Sequence, residues 1–426
     1  MYFALLATAL CSAAAPERPY LVEHYDAQLN IDFNHHSIAG VETMRLRSVQ
    51  GSVREVELDA NEIVIDSVHI GRVIQPFDQA DGHLRIHLSK VLLPGKELTI
   101  KATFRGSPSK GFLFLGGSVY TVYNTSHWLI VNHEPGDLAT LSLSLNVPSG
   151  MAVVANGRNV SSKTKDNRLI SKWDERRAIP DFVFGFAVGP FTRTSAQVEK
   201  TELQYLSTGH TAVQLNQIFR STPHALQFFS GKAGVLYPSK TYSQILITGN
   251  PEQELGDFTL LPEKYGDTLL SHPDEKWLLA HELAHQWWGI GLACRDWADF
   301  WLNEGVATFM ADVFLGDLYG PARYKHEIEL AQQSYDGLKR AGRDHALCYR
   351  ERNFEKEVGG RLPYNKGAVV LDLLRQQLGD EVFWKGFKTY TRENWGKTVT
   401  SENLQSAMEA AAGHSLGEFF NQWVYR

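Results

Sequence analysis

The chain has 426 residues, more than one ordinary domain needs and enough for two or three. Its 43% hydrophobic and 11% aromatic content is that of a packed globular protein rather than a disordered one. A net charge of −6 with no basic stripe argues against nucleic acid as a partner.

The first stretch, "MYFALLATALCSAAAPERPY", is apolar over residues 2 to 10 and then small-residue-rich to Ala15. It resembles a signal peptide with Ala13-Ala14-Ala15 as its cleavage site, although no Lys or Arg precedes the apolar run. Residues 1–15 are therefore expected to be a leader, and the mature protein to be exported, periplasmic or secreted. The run is shorter than the roughly 20 apolar residues that cross a bilayer, so no stable membrane span is expected. Without the leader, Cys294 and Cys348 remain. They allow one disulfide or two thiols, and are too few for a four-thiolate zinc site.

Over residues 20 to 191, short runs such as "YDAQLNIDF", "VETMRLRSV", "LRIHLS" and "ATLSLSLNV" alternate apolar and polar residues, with "SPSKG" and "KDNR" as turns. This predicts an N-terminal antiparallel β-sandwich over residues 16–195. No catalytic constellation stands out among its strands. Beyond residue 195 the pattern becomes mostly α after a short β portion. "YSQILIT" reads as a buried strand. "DEKWLLAHELAHQWWGIG" reads as a helix entered near Pro273 and Asp274 and left at Gly289 and Gly291. The helical runs "NEGVATFMADVFLGDL", "YNKGAVVLDLLRQQLG" and several others follow. The fold class is α+β multidomain, with the second domain spanning residues 196–426.

His281 and His285 are four residues apart, one helical turn on the same face, so both imidazoles can reach one ion. Glu282 then lies beside that ion without having to ligate it. Glu304, nineteen residues after His285, opens the next helix and supplies a carboxylate. Two His, one Glu and an open fourth position form a catalytic zinc site rather than a closed structural one, with one zinc per chain. Trp287, Trp288, Trp297 and Trp301 read as core packing around these helices. Asn303, Asp296 and Asp299 are near enough along the chain to be considered as supports for the imidazoles.

H-E-x-x-H, eighteen residues, then E within "WLNEG" resembles the M1 family of zinc aminopeptidases, within the gluzincins. "PDFVFGFAVGPF", "YNKGAVVLDLLRQQLG" and "FFNQWVYR" resemble other segments of that family, and the likeness covers nearly all of residues 20 to 426. It implies a thermolysin-like zinc-peptidase domain that removes N-terminal residues from peptide substrates. Glu282 would be the general base, and Tyr364 in "PYNKG" the donor to the oxyanion. Lys366 would be structural.

Two features depart from the family. Its "GxMEN" strand, whose glutamate holds the substrate ammonium, is here "ITGNPEQELGDFTLL". Glu254 matches if "QE" replaces "ME", and a two-residue slip gives Glu252. Glu134 in "NHEPGD" is a further candidate from the β domain. This departure leaves open a hydrolase not selective for free N-termini, or a non-catalytic zinc-containing binding protein. Family members also commonly continue into a helical domain roofing the site, so the resemblance implies a short form with a more open cleft.

Overall fold

A computed structural model describes residues 18–349 and 361–426 of the chain. The expected leader, with Cys11, lies outside them. In Tyr20–Asp32 and Leu138–Pro148 nearly every second residue is buried, as the alternation in the sequence demands of a half-buried strand. The largest sheet has eight strands, in the order Arg158–Lys165, Arg168–Pro180, Leu138–Pro148, Tyr20–Asp32, Ser37–Ser48, Glu97–Gly106, Ile63–Ile70 and Val73–Ile74. A three-stranded and a four-stranded sheet complete the β domain around a core that includes Tyr25, Phe104 and Trp128. The antiparallel expectation needs one correction. Tyr20–Asp32 runs parallel to Leu138–Pro148, because these strands are far apart in sequence and no hairpin constrains their direction.

A mixed five-stranded sheet follows, built from β1 (Thr192–Val198), β2 (Thr201–Ser207), β3 (Thr241–Ile247), β4 (Gln253–Leu255) and β5 (Phe258–Pro262), in the order β1-β2-β3-β5-β4. Strand β1 straddles residue 195. Tyr120, Val154 and Ala187 of the β domain share one apolar cluster with Leu206, Ile245 and Phe258 of this sheet. The two parts are thus joined by a continuous buried surface.

Four helices position the site: α1 (Trp277–Ala284), α2 (Trp301–Tyr319), α3 (Pro321–Arg340) and α4 (Leu362–Leu378). Helix α1 is shorter than its sequence pattern suggests. His285 is its C-cap, and the N–H of Ile290 turns back to the His285 carbonyl at 3.0 Å. Gly289, with φ 132°, supplies the backbone conformation that stops the helix. Every residue of α2 from Trp301 to Leu315 is buried, the pattern of a helix packed on all sides. No helix among the described residues is long and apolar enough to cross a membrane.

Helices α2 and α4 touch backbone to backbone. A Cβ added to Gly305 would lie 2.8 Å from the Gly367 Cα, and one added to Gly367 would lie 2.7 Å from the Gly305 Cα. Glu304 adjoins the first glycine, and Tyr364 lies nearly one turn before the second. Gly367→Ala should therefore destabilise the fold by about 1–3 kcal/mol through overpacking and displace Tyr364 from Glu304. Chemical denaturation and turnover check this together; an unchanged unfolding midpoint would show that the crossing can relax freely.

Candidate active site

The motif histidines meet Glu304 at the buried junction of α1 and α2. His281 Nε2 and His285 Nε2 are 3.1 Å apart, and each lies 3.4 Å from Glu304 Oε2. Donors about 2.0–2.1 Å from a tetrahedral zinc are separated by roughly 3.3 Å, so this triangle fits the ion. The supports for the imidazoles fit as well. His285 Nδ1–H donates to the Trp288 carbonyl at 3.1 Å, which leaves Nε2 with its lone pair toward the centre. His281 has Thr308 Oγ1 3.5 Å from its Nδ1, and its ring stacks on Trp277 at 4.8 Å.

Glu282 and Glu254 close the site from the other side. Each offers an oxygen within 4.8 Å of the other's and of a His285 nitrogen. They are 4% and 3% exposed, and Glu282 Oε2 has no hydrogen-bond partner among the described residues. Burial raises the Glu282 carboxyl well above the ordinary carboxylate range and pushes Glu254 up to about 7. Glu304 is equally buried, yet His285 and His281 hold it down at about 2. Tyr364 lines the same cavity of about 650 Å³, its ring 5.9 Å from that of His281.

Strand β4 brings Glu254 here for identifiable reasons. Gln286, next to His285, donates to the Leu255 carbonyl at 2.9 Å and accepts from the Asp257 N–H at 3.1 Å. From the β domain, the Tyr123 N–H donates to Gln253 Oε1 at 2.7 Å, and Gln253 Nε2 donates to the Phe182 carbonyl at 3.3 Å. The strand is thus gripped between the histidine helix and the β domain.

Residues 257–423 match the model of the peptidase family M1 domain. This stretch, which holds the histidine helix and Glu304, is thus similar to an M1 domain. The Arabidopsis thaliana protein "Aminopeptidase M1" is 24% identical over 68% of this chain and 34% of its own length. "Probable aminopeptidase 1" of Sulfurisphaera tokodaii is 22% identical over 95% of this chain and 52% of its own length. The chain thus spans about a third to a half of the length of these curated relatives. Its fold is that of the M1 zinc metallopeptidase from Deinococcus radiodurans, with a TM-score of 0.81 at 21% identity, covering 96% of this chain and 94% of that one.

Of the candidates around the metal triangle, Glu252 lines the cavity but is exposed. Glu134 is not among the residues lining the cavity. Its N–H turns to the Asn132 carbonyl, inside a β-domain loop next to Asp137. Among the described residues, Tyr123 of the β domain lines the cavity, and its hydroxyl donates to the Glu252 carbonyl at 2.9 Å. Tyr123 and Asn124 both adopt left-handed φ, 41° and 45°, a strained turn that "VYNTSH" does not announce.

The three proposed imidazole supports serve elsewhere. Asn303 accepts from the Cys294 N–H, Asp296 caps the turn at Ala298, and Asp299 binds Ser401. Cys294 and Cys348 are both buried. Lys366 has a structural place, donating to Asp344 at 2.8 Å and to the His345 carbonyl. Trp287, Trp288 and Trp301 are core residues, while Trp297 packs half-buried against the β domain.

Elemental analysis of the purified protein should return about one zinc per chain. His285→Ala removes one corner of the triangle and should lose most of it. Stoichiometric zinc in that variant would rule out this ligand set.

Proposed function

We propose that the chain is a zinc metallopeptidase that releases N-terminal residues from peptides. The observation that carries this reading is the position of Glu254. A buried carboxylate against Glu282 and His285 suits a substrate α-ammonium, because a charge-assisted hydrogen bond offsets the desolvation of both groups. Zinc held by His281, His285 and Glu304 would supply Lewis acidity toward the scissile carbonyl and toward water.

The chain's own residues divide the remaining work. Glu254 accepts hydrogen bonds from the ammonium and fixes the register of the peptide. Glu282 has a free oxygen and a raised affinity for protons, which suits a group that takes a proton from water and passes it to the departing amine. The Tyr364 phenol, kept protonated by burial and by the surrounding carboxylates, can donate to the carbonyl oxygen as charge develops there. Export belongs to the same reading and rests on the sequence of residues 1–15 alone.

Glu282→Gln should keep zinc and the fold but lower turnover by about 10²–10⁴-fold. Activity within a few-fold of wild type would remove Glu282 from proton transfer. Tyr364→Phe should lower kcat, with removal of one oxyanion donor costing roughly 2.7–4 kcal/mol, and should leave KM nearly unchanged. A change confined to KM would place the phenol in substrate binding instead.

Selectivity is tested with one free and one N-acetylated peptide. Wild type should reject the blocked peptide, whose amide would leave Glu254 buried and unpaired. Glu254→Ala should lose activity mainly on the free peptide, and Glu252→Ala should lose much less. Equal cleavage of both peptides by wild type would replace the aminopeptidase reading with a hydrolase indifferent to free N-termini.

A further inference from the structure

The spacing of four residues that builds the metal triangle continues along both helices. Glu304, Thr308 and Asp312 lie on one face of α2, and His285, His281 and Trp277 on the facing side of α1. They pair in antiparallel order. Glu304 meets both histidines, Thr308 meets His281, and the Trp277 indole N–H donates to Asp312 Oδ1 at 2.8 Å. Asp312 therefore lies two turns, about 12 Å, along α2 from Glu304.

This end of the cavity is strongly acidic. Asp312 lines it, is 1% exposed, and has an Oδ2 with no hydrogen-bond partner among the described residues. Glu327 of α3 also lines it and is paired with Arg323. Asp372 of α4 faces the same region, with the Tyr324 hydroxyl and Gln376 as its partners. Among the described residues, Glu327, Asp372 and Arg323 are the charged groups acting on Asp312, and Arg361 lines the cavity as well. Burial, reinforced by Glu327 and Asp372, raises the Asp312 carboxyl well above its ordinary range. Such a group is stabilised by a cation that enters with its own charge.

The two ends of the cavity also fix a direction. Glu254 clusters with His285, whereas Asp312 is bonded to Trp277, two turns earlier on α1. A peptide with its α-ammonium at Glu254 and its scissile carbonyl at the metal triangle sends the next residue toward Trp277 and Asp312. The flexible four-carbon stem of a lysine can lie along the indole while its ammonium reaches the carboxylate.

We propose that Asp312, backed by Glu327, is the subsite for the side chain that follows the cleaved bond, and that it selects lysine or arginine there. This rests on the peptidase reading and specifies which peptides that site takes. Charge selectivity of this kind comes from a hydrogen bond between ionised groups in a desolvated place.

The test compares Ala-Lys-Ala with Ala-norleucine-Ala, and Lys-Ala-Ala with norleucine-Ala-Ala, on zinc-loaded wild type, Asp312→Asn and Glu327→Gln. Wild type should favour lysine at the second position by roughly tenfold or more in kcat/KM. Asp312→Asn, which retains an acceptor for the Trp277 indole, should reduce that ratio to about twofold or less, and Glu327→Gln should reduce it partly. A purely structural role for Asp312 would slow both second-position peptides equally and leave the ratio at its wild-type value, overturning the proposal. So would a wild-type ratio near one, or a charge preference that responds to Asp312 only at the first position. If Asp312→Asn does not fold, Glu327→Gln and the wild-type ratios decide. If no peptide is cleaved, the peptidase reading itself fails. Calorimetry of the same peptides on zinc-loaded Glu282→Gln then decides the subsite: tighter binding of Ala-Lys-Ala sustains it, and equal or absent binding rejects it.

Discussion

Three glutamates, Glu254, Glu282 and Glu304, share one buried cavity with two imidazoles. Carboxylates that close repel one another and resist desolvation, so they are stable together only if opposite charge is brought in. The two histidines manage this for Glu304 alone, which stays ionised while Glu254 and Glu282 are driven toward their protonated forms. A divalent ion and one substrate ammonium together match the charge of three carboxylates. The site is built in deficit, and on the proposed reading a metal and a cationic chain terminus would complement it.

A cluster under that strain holds its shape only if the backbone around it cannot yield. Backbone contact between Gly305 and Gly367 sets the separation of the helices that carry Glu304 and Tyr364. Gln286 ties β4 to the histidine helix, and Tyr123 and Phe182 tie the same strand to the β domain. Asp257, in the turn after β4, accepts from Arg177 at 2.7 Å and from the Tyr237 hydroxyl at 2.8 Å. The β domain is therefore part of the active-site scaffold, because it grips the strand that presents Glu254.

The parts legible in the sequence are those encoded by short-range periodicity. Alternation announced the strands, and the four-residue spacing put His281 and His285 on one helical face. Glu304 was recognisable because it opens the next helix. Tyr364 and Glu254 came from resemblance to a family, since a lone tyrosine at a helix start or a glutamate on a short strand has no chemical signature of its own. That Tyr123 lines the cavity was not legible, for one reason. Which β-domain loop reaches the cavity depends on long-range packing and on a left-handed turn at residues 123 and 124, and neither leaves a local pattern. The supports of the histidines were missed similarly. One is a backbone carbonyl, at Trp288, which every sequence contains. The parallel strand pair also escaped notice, because alternation specifies a buried face and not a direction.

Asp312 is legible in the sequence in principle. It stands eight residues after Glu304, on the face that Glu304 and Thr308 define, so the periodicity that found the metal ligands points to it as well. On a surface helix such an aspartate would be a solvated charge. Its significance appears only once α2 is known to be buried along its whole first fifteen residues, since a carboxylate there must either be neutralised or be met by a cation. Helices also hold side chains more precisely than loops do. Two antiparallel helices in register therefore fix the spacing between the metal centre and the acidic end, and a peptide side chain is measured against that fixed distance.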